Sequence, residues 1–261
     1  MPEQGVVIRK KLVIFYVLDT SGSMEDDGKI GALNEAMRET VDVLQNIAKG
    51  SADAELQIAV LQFSSGAQWV TEKPIYLEDF YWDDLKAGGL TDIGDALSEL
   101  YNKMSRHEFL QSNTGYMVPI IIFMSDGYPT DNWEKALQKI TDKENGNKWF
   151  HYSTKIAFAL GRDADIKTLS QIVGNKEAVI QTSDLETFKK MIKVVSVSSV
   201  LTNSVSRPQG QDTSNVDIVK KATGEEQAST QDPQLAQNLP EPDSFSQEPI
   251  PDVGTDVPVS W

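Results

Sequence analysis

Five consecutive residues, Asp19-Thr20-Ser21-Gly22-Ser23, place one carboxylate and a run of hydroxyls directly after the apolar run 12–18. A buried strand ending this way aims hard oxygen ligands at one spot, which is the donor chemistry of a divalent-cation site. One carboxylate and two hydroxyls do not complete six-coordination, so other strand ends must bring further oxygens to the same place. Two stretches supply them: Gly88-Gly89-Leu90-Thr91-Asp92-Ile93-Gly94 and Met124-Ser125-Asp126-Gly127.

Other chemistries have little support. The chain has no cysteine, which excludes disulfides, zinc-thiolate sites and cysteine nucleophiles. His107 and His151 stand alone, without partners at zinc spacing. No G-x-x-x-x-G-K-[ST] loop occurs, and no G-x-G-x-x-G follows a strand. A net charge of −15 argues against nucleic acid, whose phosphates need clustered Lys and Arg, and against docking on an anionic membrane. Arg9, Lys10 and Lys11 precede an apolar run too short for a membrane span, and no small-residue cleavage site follows. A strand in a cytoplasmic protein is therefore expected there.

The elements that would position these residues follow from periodicity. Residues 12–18 are uninterrupted Leu, Val, Ile, Phe and Tyr, the pattern of a central parallel strand covered on both faces. Ile30, Leu33, Met37, Val41, Leu44 and Ala48 form one apolar stripe on a helix over 29–49, stopped by Gly50. Residues 55–63 read as the second strand, and 68–71 with a segment near Ile75 as an edge strand that tolerates Pro74. A loop over 81–89 leads to a helix over 92–106. The strand 117–125, a helix over 132–141, a strand over 153–160, a helix over 166–173 and a short strand at 178–180 follow. A closing helix carries Leu185, Phe188, Ile192 and Val195. Alternating strands and helices imply right-handed crossovers, hence an α/β, doubly wound, mostly parallel sheet with helices on both faces. Ligands of such sheets gather at carboxyl strand ends where the strand order reverses.

Composition changes near residue 206. The stretch 206–261 holds seven of the chain's prolines and ten acidic against three basic residues, with few large apolar groups. Such a segment cannot bury enough apolar area to offset its ordering entropy. The expected organisation is one domain over 1–205 and an acidic, Pro-rich, disordered tail over 206–261.

Taken together, the three oxygen-bearing stretches resemble the von Willebrand factor A (vWA) domain family over about residues 9–203. The metal-ion-dependent adhesion site (MIDAS) of that family has the pattern D-x-S-x-S, then T, then D on this framework. The resemblance implies that Ser21, Ser23 and Thr91 ligate the metal through hydroxyls, with Asp19 and Asp126 holding it directly or through water. The implied ion is Mg²⁺ or Mn²⁺. Hydroxyl ligands leave it under-neutralised, ready to take one more hard oxygen from an Asp or Glu side chain of a protein partner. Gly22 is expected to allow a tight turn, and Gly88 and Gly89 to free the Thr91 loop, whose rearrangement the family couples to the last helix. Within the family, residues 17–24, 123–131 and 158–161 resemble the bacterial TerY-like branch linked to tellurium resistance and stress. That branch implies a PP2C-type phosphatase and a protein kinase as signalling partners, although the cysteine-rich C-terminal module of some relatives is missing here.

The reading is a non-enzymatic, metal-dependent protein-binding module. The alternative is a Mg²⁺-dependent phosphohydrolase with Asp19 as nucleophile; against it, Ser21 stands where such enzymes carry a second aspartate. Simpler roles exist for single residues. Thr91 suits an N-cap, Asp126-Gly127 a turn, and Asp26-Asp27-Gly28 a solvated loop. Tyr76, Phe80, Tyr81 and Trp82 either line a recognition surface or pin a long loop to the body.

Overall fold

The computed structural model describes residues 9–204 and 215–223. Strand β1 (Lys10–Asp19) is buried from Leu12 onward, which only a central strand covered on both faces allows. Its side chains alternate between two cores: Leu12, Ile14, Tyr16 and Leu18 face one, and Val13, Phe15 and Val17 the other. β1 pairs in parallel with β2 (Ala54–Ser64) on one side and β5 (Ile120–Ser125) on the other. β6 (Thr154–Leu160) and β7 (Val179–Thr182) extend the parallel sheet beyond β5. The short strands β3 (Gly66–Trp69) and β4 (Ile75–Tyr76) pair antiparallel with β2 at the far edge. The order β3-β2-β1-β5-β6-β7 makes the chain leave β1 toward one edge and return on its other side at β5. The carboxyl end of β1 is therefore the switch point where a crevice opens.

On one face, α1 (Lys29–Gly50) buries Leu33, Met37, Val41 and Leu44, and α6 (Leu185–Asn203) buries Phe188, Ile192 and Val195 in the same core. Ion pairs between Lys189 and Glu35 (2.9 Å) and between Lys193 and Glu39 (2.7 Å) run along the seam of these two helices. The other face is covered by α2 (Ile93–Lys103), α3 (Trp133–Thr141), α4 (Lys148–Tyr152) and α5 (Ile166–Val173). Among the described residues no helix is long and apolar enough to cross a membrane.

The expected α/β doubly wound architecture is present, and the departures from expectation are local. α2 ends at Lys103 rather than 106, because Met104 leaves helical geometry at ψ 65° and stays in the core. β5 begins at Ile120 rather than 117: Tyr116 makes only an isolated bridge to Lys11, and Pro119 has no N–H for the ladder. Helix α4 was not expected; it is capped by the Asn147 side chain, which accepts from the Phe150 N–H. A further unexpected element lies in the stretch 206–261. Helix α7 (Asn215–Thr223) lies within it and buries Ile218 and Val219 against the α6 side of the sheet. An apolar patch one turn long, set among Asp217, Lys220 and Lys221, is too small to register in bulk composition yet suffices to dock a helix. The remainder of the expected tail lies outside the described residues.

A buried polar contact joins the central strand to the closing helix. The Tyr16 hydroxyl donates to Ser196 Oγ at 2.9 Å, joining β1 to α6 where both side chains are fully buried. Burial holds the Tyr16 hydroxyl protonated by pushing it well above the ordinary tyrosine range. Tyr16→Phe removes the donor and strands a buried hydroxyl, an effect of about 1–3 kcal/mol. The expected outcome in urea unfolding is a lower midpoint with an unchanged slope; an unchanged midpoint would show that the bond carries no stability.

Candidate metal centre

The end of β1 continues its hydrogen-bond ladder into side chains. Register pairs Leu18 with Met124, so the next residues, Asp19 and Ser125, stand side by side on adjacent strands. Ser125 Oγ donates to Asp19 Oδ2 at 2.5 Å, and the Ser21 N–H donates to Asp19 Oδ1 at 2.8 Å. The carboxylate is thus fixed on both oxygens at the floor of the crevice, with no exposed surface.

Above it the oxygens form a chain. Ser21 Oγ and Ser23 Oγ share a hydrogen bond at 3.2 Å, and Ser23 Oγ donates to Asp126 Oδ1 at 2.7 Å. Asp126 Oδ2 accepts from Lys29 Nζ at 2.5 Å, and the same ammonium donates to the Ser23 carbonyl at 3.2 Å. Asp19 and Ser21 are buried, whereas Ser23 is exposed, so the cluster runs from the sheet interior to solvent.

Thr91 arrives on the loop before α2. The Gly22 N–H donates to the Gly89 carbonyl at 3.1 Å and the Gly88 N–H to the Thr20 carbonyl at 2.8 Å, pairing the two loops through backbone. A Cβ on Gly22 would lie 3.3 Å from that Gly89 oxygen. Gly22 therefore serves close approach between loops, in place of the tight turn expected of it, and has no left-handed φ. Gly89 does have one, at 87°, and a Cβ there would meet Ser65 Oγ at 2.7 Å. From the other side, the Thr91 N–H donates to Thr130 Oγ1 and its carbonyl accepts from the Thr130 N–H, both at 2.9 Å. Asp92, not Thr91, holds the N-cap position of α2, and its carboxylate accepts from the Gly66 N–H and the Thr130 hydroxyl.

The five oxygen-bearing residues Asp19, Ser21, Ser23, Thr91 and Asp126 are all brought to this end of the sheet. A Cβ on Gly127 would sit 3.5 Å from Ser23 Oγ and 3.6 Å from Thr91 Oγ1, so its absence leaves an opening between hydroxyls of two loops. Among the described residues no group of three or more His, Cys, Asp and Glu is placed to hold a metal. Any ion taken here must rely on neutral hydroxyls beside two carboxylates. An all-oxygen set of this kind fits a hard divalent cation.

Sequence reasoning missed Ser125 and Lys29. Ser125 was legible in principle, because strand pairing of β1 and β5 sets it beside Asp19. Lys29 has no such signal, since its reach to Asp126 spans 97 residues of sequence. Of the aromatics, Phe80 and Trp82 pack on the core, and Asn34 ties their loop down by accepting from the Leu85 N–H and donating to the Leu85 carbonyl. Tyr81 is exposed. His107 and His151 take no part in the cluster.

Burial pushes the Asp19 carboxyl above the ordinary carboxylate range, opposed by hydrogen bonds from Ser125 and Ser21 and reinforced by the Asp126 charge. The folded chain then binds this proton more readily than the unfolded chain. Asp19's contribution to stability is present at low pH and is lost as pH rises through the raised value. Asp19→Asn keeps the shape without the charge: its amide oxygen accepts from the Ser21 N–H, and its amide N–H donates to a Ser125 hydroxyl turned to accept. In metal-free buffer it is expected to melt above wild type at neutral pH, by about 2–4 °C per kcal/mol relieved, with the difference closing in acid. A lower melting temperature at neutral pH would contradict this electrostatic picture.

Comparison with solved structures gives the same fold. A von Willebrand factor type A protein from Catenulispora acidiphila matches at 19% identity and a TM-score of 0.53, covering 73% of this chain and 43% of that one. The ArnB paralog VWA2 from Sulfolobus acidocaldarius matches at 16% identity and a TM-score of 0.51, covering 70% of this chain and 44% of that one. Proximal thread matrix protein 1 from the mussel byssus, in a structure described as having a zinc-occupied MIDAS motif, matches at 20% identity and a TM-score of 0.51, covering 71% and 48%. The chain spans less than half the length of each of these relatives. Curated protein sequences gave no match. The family model of the von Willebrand factor type A domain matches residues 14–194, and the chain belongs to that family.

Proposed function

We propose that this chain is a non-enzymatic, metal-dependent protein-binding module whose adhesion site is intact. The observation that carries the reading is the single cluster in which Asp19, Ser21, Ser23, Thr91 and Asp126 converge at the switch point of the sheet. These five residues would hold Mg²⁺ or Mn²⁺, the hard ions to which hydroxyl and carboxylate oxygens are suited. The mussel relative carried zinc at its own motif. A bound ion supplies one open position for an oxygen from outside, and the chemistry favours an Asp or Glu carboxylate of a protein partner.

The chain's own residues perform the preparation. Ser125 and the Ser21 N–H hold Asp19 in one orientation, so that loading the site requires no reorganisation of its deepest group. Ser21, Ser23 and Thr91 add oxygens without adding charge. The Gly22–Gly89 backbone bond ties the loop before α2 to the loop after β1, and the Thr91–Thr130 bond ties it to the loop after β5. A phosphohydrolase reading finds no support in this arrangement: Ser21 occupies the place of the second aspartate, and Asp19 is bonded on both oxygens at the floor of the cluster.

The finer assignment to a TerY-like, stress-associated branch rests on residues 17–24, 123–131 and 158–161. It names a PP2C-type phosphatase and a protein kinase as first candidates for the partner, in a cytoplasmic signalling assembly. Residues 1–205 constitute the binding module in this reading, with α7 docked on it and an acidic segment beyond.

Manganese at 100 times its Kd is expected to stabilise the fold by about 2.7 kcal/mol, a rise in melting temperature of roughly 5–10 °C for a domain of this size. Asp19→Ala and EDTA abolish the rise. A pull-down with the candidate phosphatase or kinase as prey should retain it in Mg²⁺ and release it under both treatments. Retention that ignores EDTA and Asp19→Ala would overturn the metal-dependent reading. Aryl phosphate turnover that disappears in Asp19→Asn would replace it with the enzyme.

A further inference from the structure

Lys29 is the first residue of α1, where the helix dipole is positive and a cation is unfavourable. The Ncap residue, Gly28, offers no side-chain cap, and the first turn contains no acidic residue to offset the charge. What holds the ammonium is the metal centre itself: Asp126 Oδ2 at 2.5 Å and the Ser23 carbonyl at 3.2 Å. The Lys29 side chain is 16% exposed and that of Asp126 only 1%, so the pair is shielded from solvent screening. Its stem passes Gly161, where a Cβ would come within 4.0 Å of Lys29 Cε. A residue that breaks a local rule and is compensated only by a functional site is a candidate for service in that site.

We infer that Lys29 is a built-in counter-cation of the adhesion site, which lowers its affinity for the divalent ion and leaves the loaded site positively charged toward a partner's carboxylate. The inference rests on the five-residue metal centre proposed above and assigns a function to a residue outside it. Two carboxylates and a divalent ion cancel formally. With Lys29 counted, the loaded cluster keeps one positive charge. Lys29 also occupies one oxygen of Asp126, leaving Oδ1, the atom bonded to Ser23, as the one turned to the cluster. It is a positioning residue: it acts through Asp126 and needs no contact with the ion.

Removing the charge is therefore expected to improve metal binding, the opposite of what loss of a structural contact does. Manganese binding to the full chain, followed by calorimetry or by the electron paramagnetic resonance signal of free Mn²⁺, separates the cases. Lys29→Met and Lys29→Gln are expected to tighten Mn²⁺ binding by about tenfold, the factor carried by roughly 1.4 kcal/mol at the low end of measured couplings between close charges. Lys29→Arg keeps the charge and stays near wild type. The Mn²⁺-loaded Lys29→Met protein binds acetate more weakly than loaded wild type. If wild type binds Mn²⁺ through Asp19 and both neutral variants bind it equally or less tightly, the role of Lys29 is overturned and the metal centre stands. If neither wild type nor any Lys29 variant binds Mn²⁺, both readings fall. A neutral variant that is unfolded by circular dichroism is replaced by the other; loss of the fold in both makes Lys29 a structural residue and overturns the inference.

Discussion

Asp19 places a carboxylate at the end of a strand covered on both faces, with no exposed surface, and the surrounding architecture is arranged around that burden. An isolated buried carboxylate is strongly disfavoured, so it must be hydrogen-bonded, protonated or paired with a cation. The fold supplies the first remedy through Ser125 on the neighbouring strand and the Ser21 N–H in the following turn. Burial pushes toward the second by raising the carboxyl above the ordinary carboxylate range. The third is provided only in part, since Lys29 reaches Asp126 and not Asp19. A site left short of positive charge at its floor is suited to receive a divalent ion.

The sheet topology makes this local arrangement possible. Because β2 and β5 flank β1 on opposite sides, the loops after β1 and β5 and the loop before α2 meet over one crevice. Glycines ease the approach of the loops: a Cβ on Gly22 would press on the Gly89 carbonyl at 3.3 Å, and one on Gly89 would collide with Ser65 Oγ at 2.7 Å. The two faces of the sheet are unequal in one respect. The face bearing α1 and α6 contains the buried Tyr16–Ser196 bond, so the strand that carries Asp19 is tied directly to the long helix that closes the domain.

Much of this was legible from residue types. The apolar run before Asp19 identified a central strand, because continuous burial on both faces leaves no polar alternation. Its hydroxyl-rich end, with Thr91 and Asp126, pointed to the oxygen-bearing side chains that the structure gathers at the carboxyl end of β1. The features missed depend on geometry that linear sequence does not carry. Ser125 matters through register between β1 and β5, and Lys29 through the reach of a side chain across the crevice. Helix α7 went unseen because docking requires only Ile218 and Val219 to meet a waiting apolar surface, while the composition around them is polar. Gly22 was assigned to a turn, where the structure uses it to let two backbones touch.

Hydroxyls and carboxylates from three separated segments are proposed to form one cation site. A crystal of the full chain soaked in Mn²⁺, with anomalous diffraction measured near the manganese edge, tests it most directly. One strong anomalous peak is expected, ligated by Ser21 Oγ and Ser23 Oγ, with Thr91 and Asp126 in its coordination sphere directly or through water. Manganese bound elsewhere on the surface, with these side chains still hydrogen-bonded to one another, would contradict it.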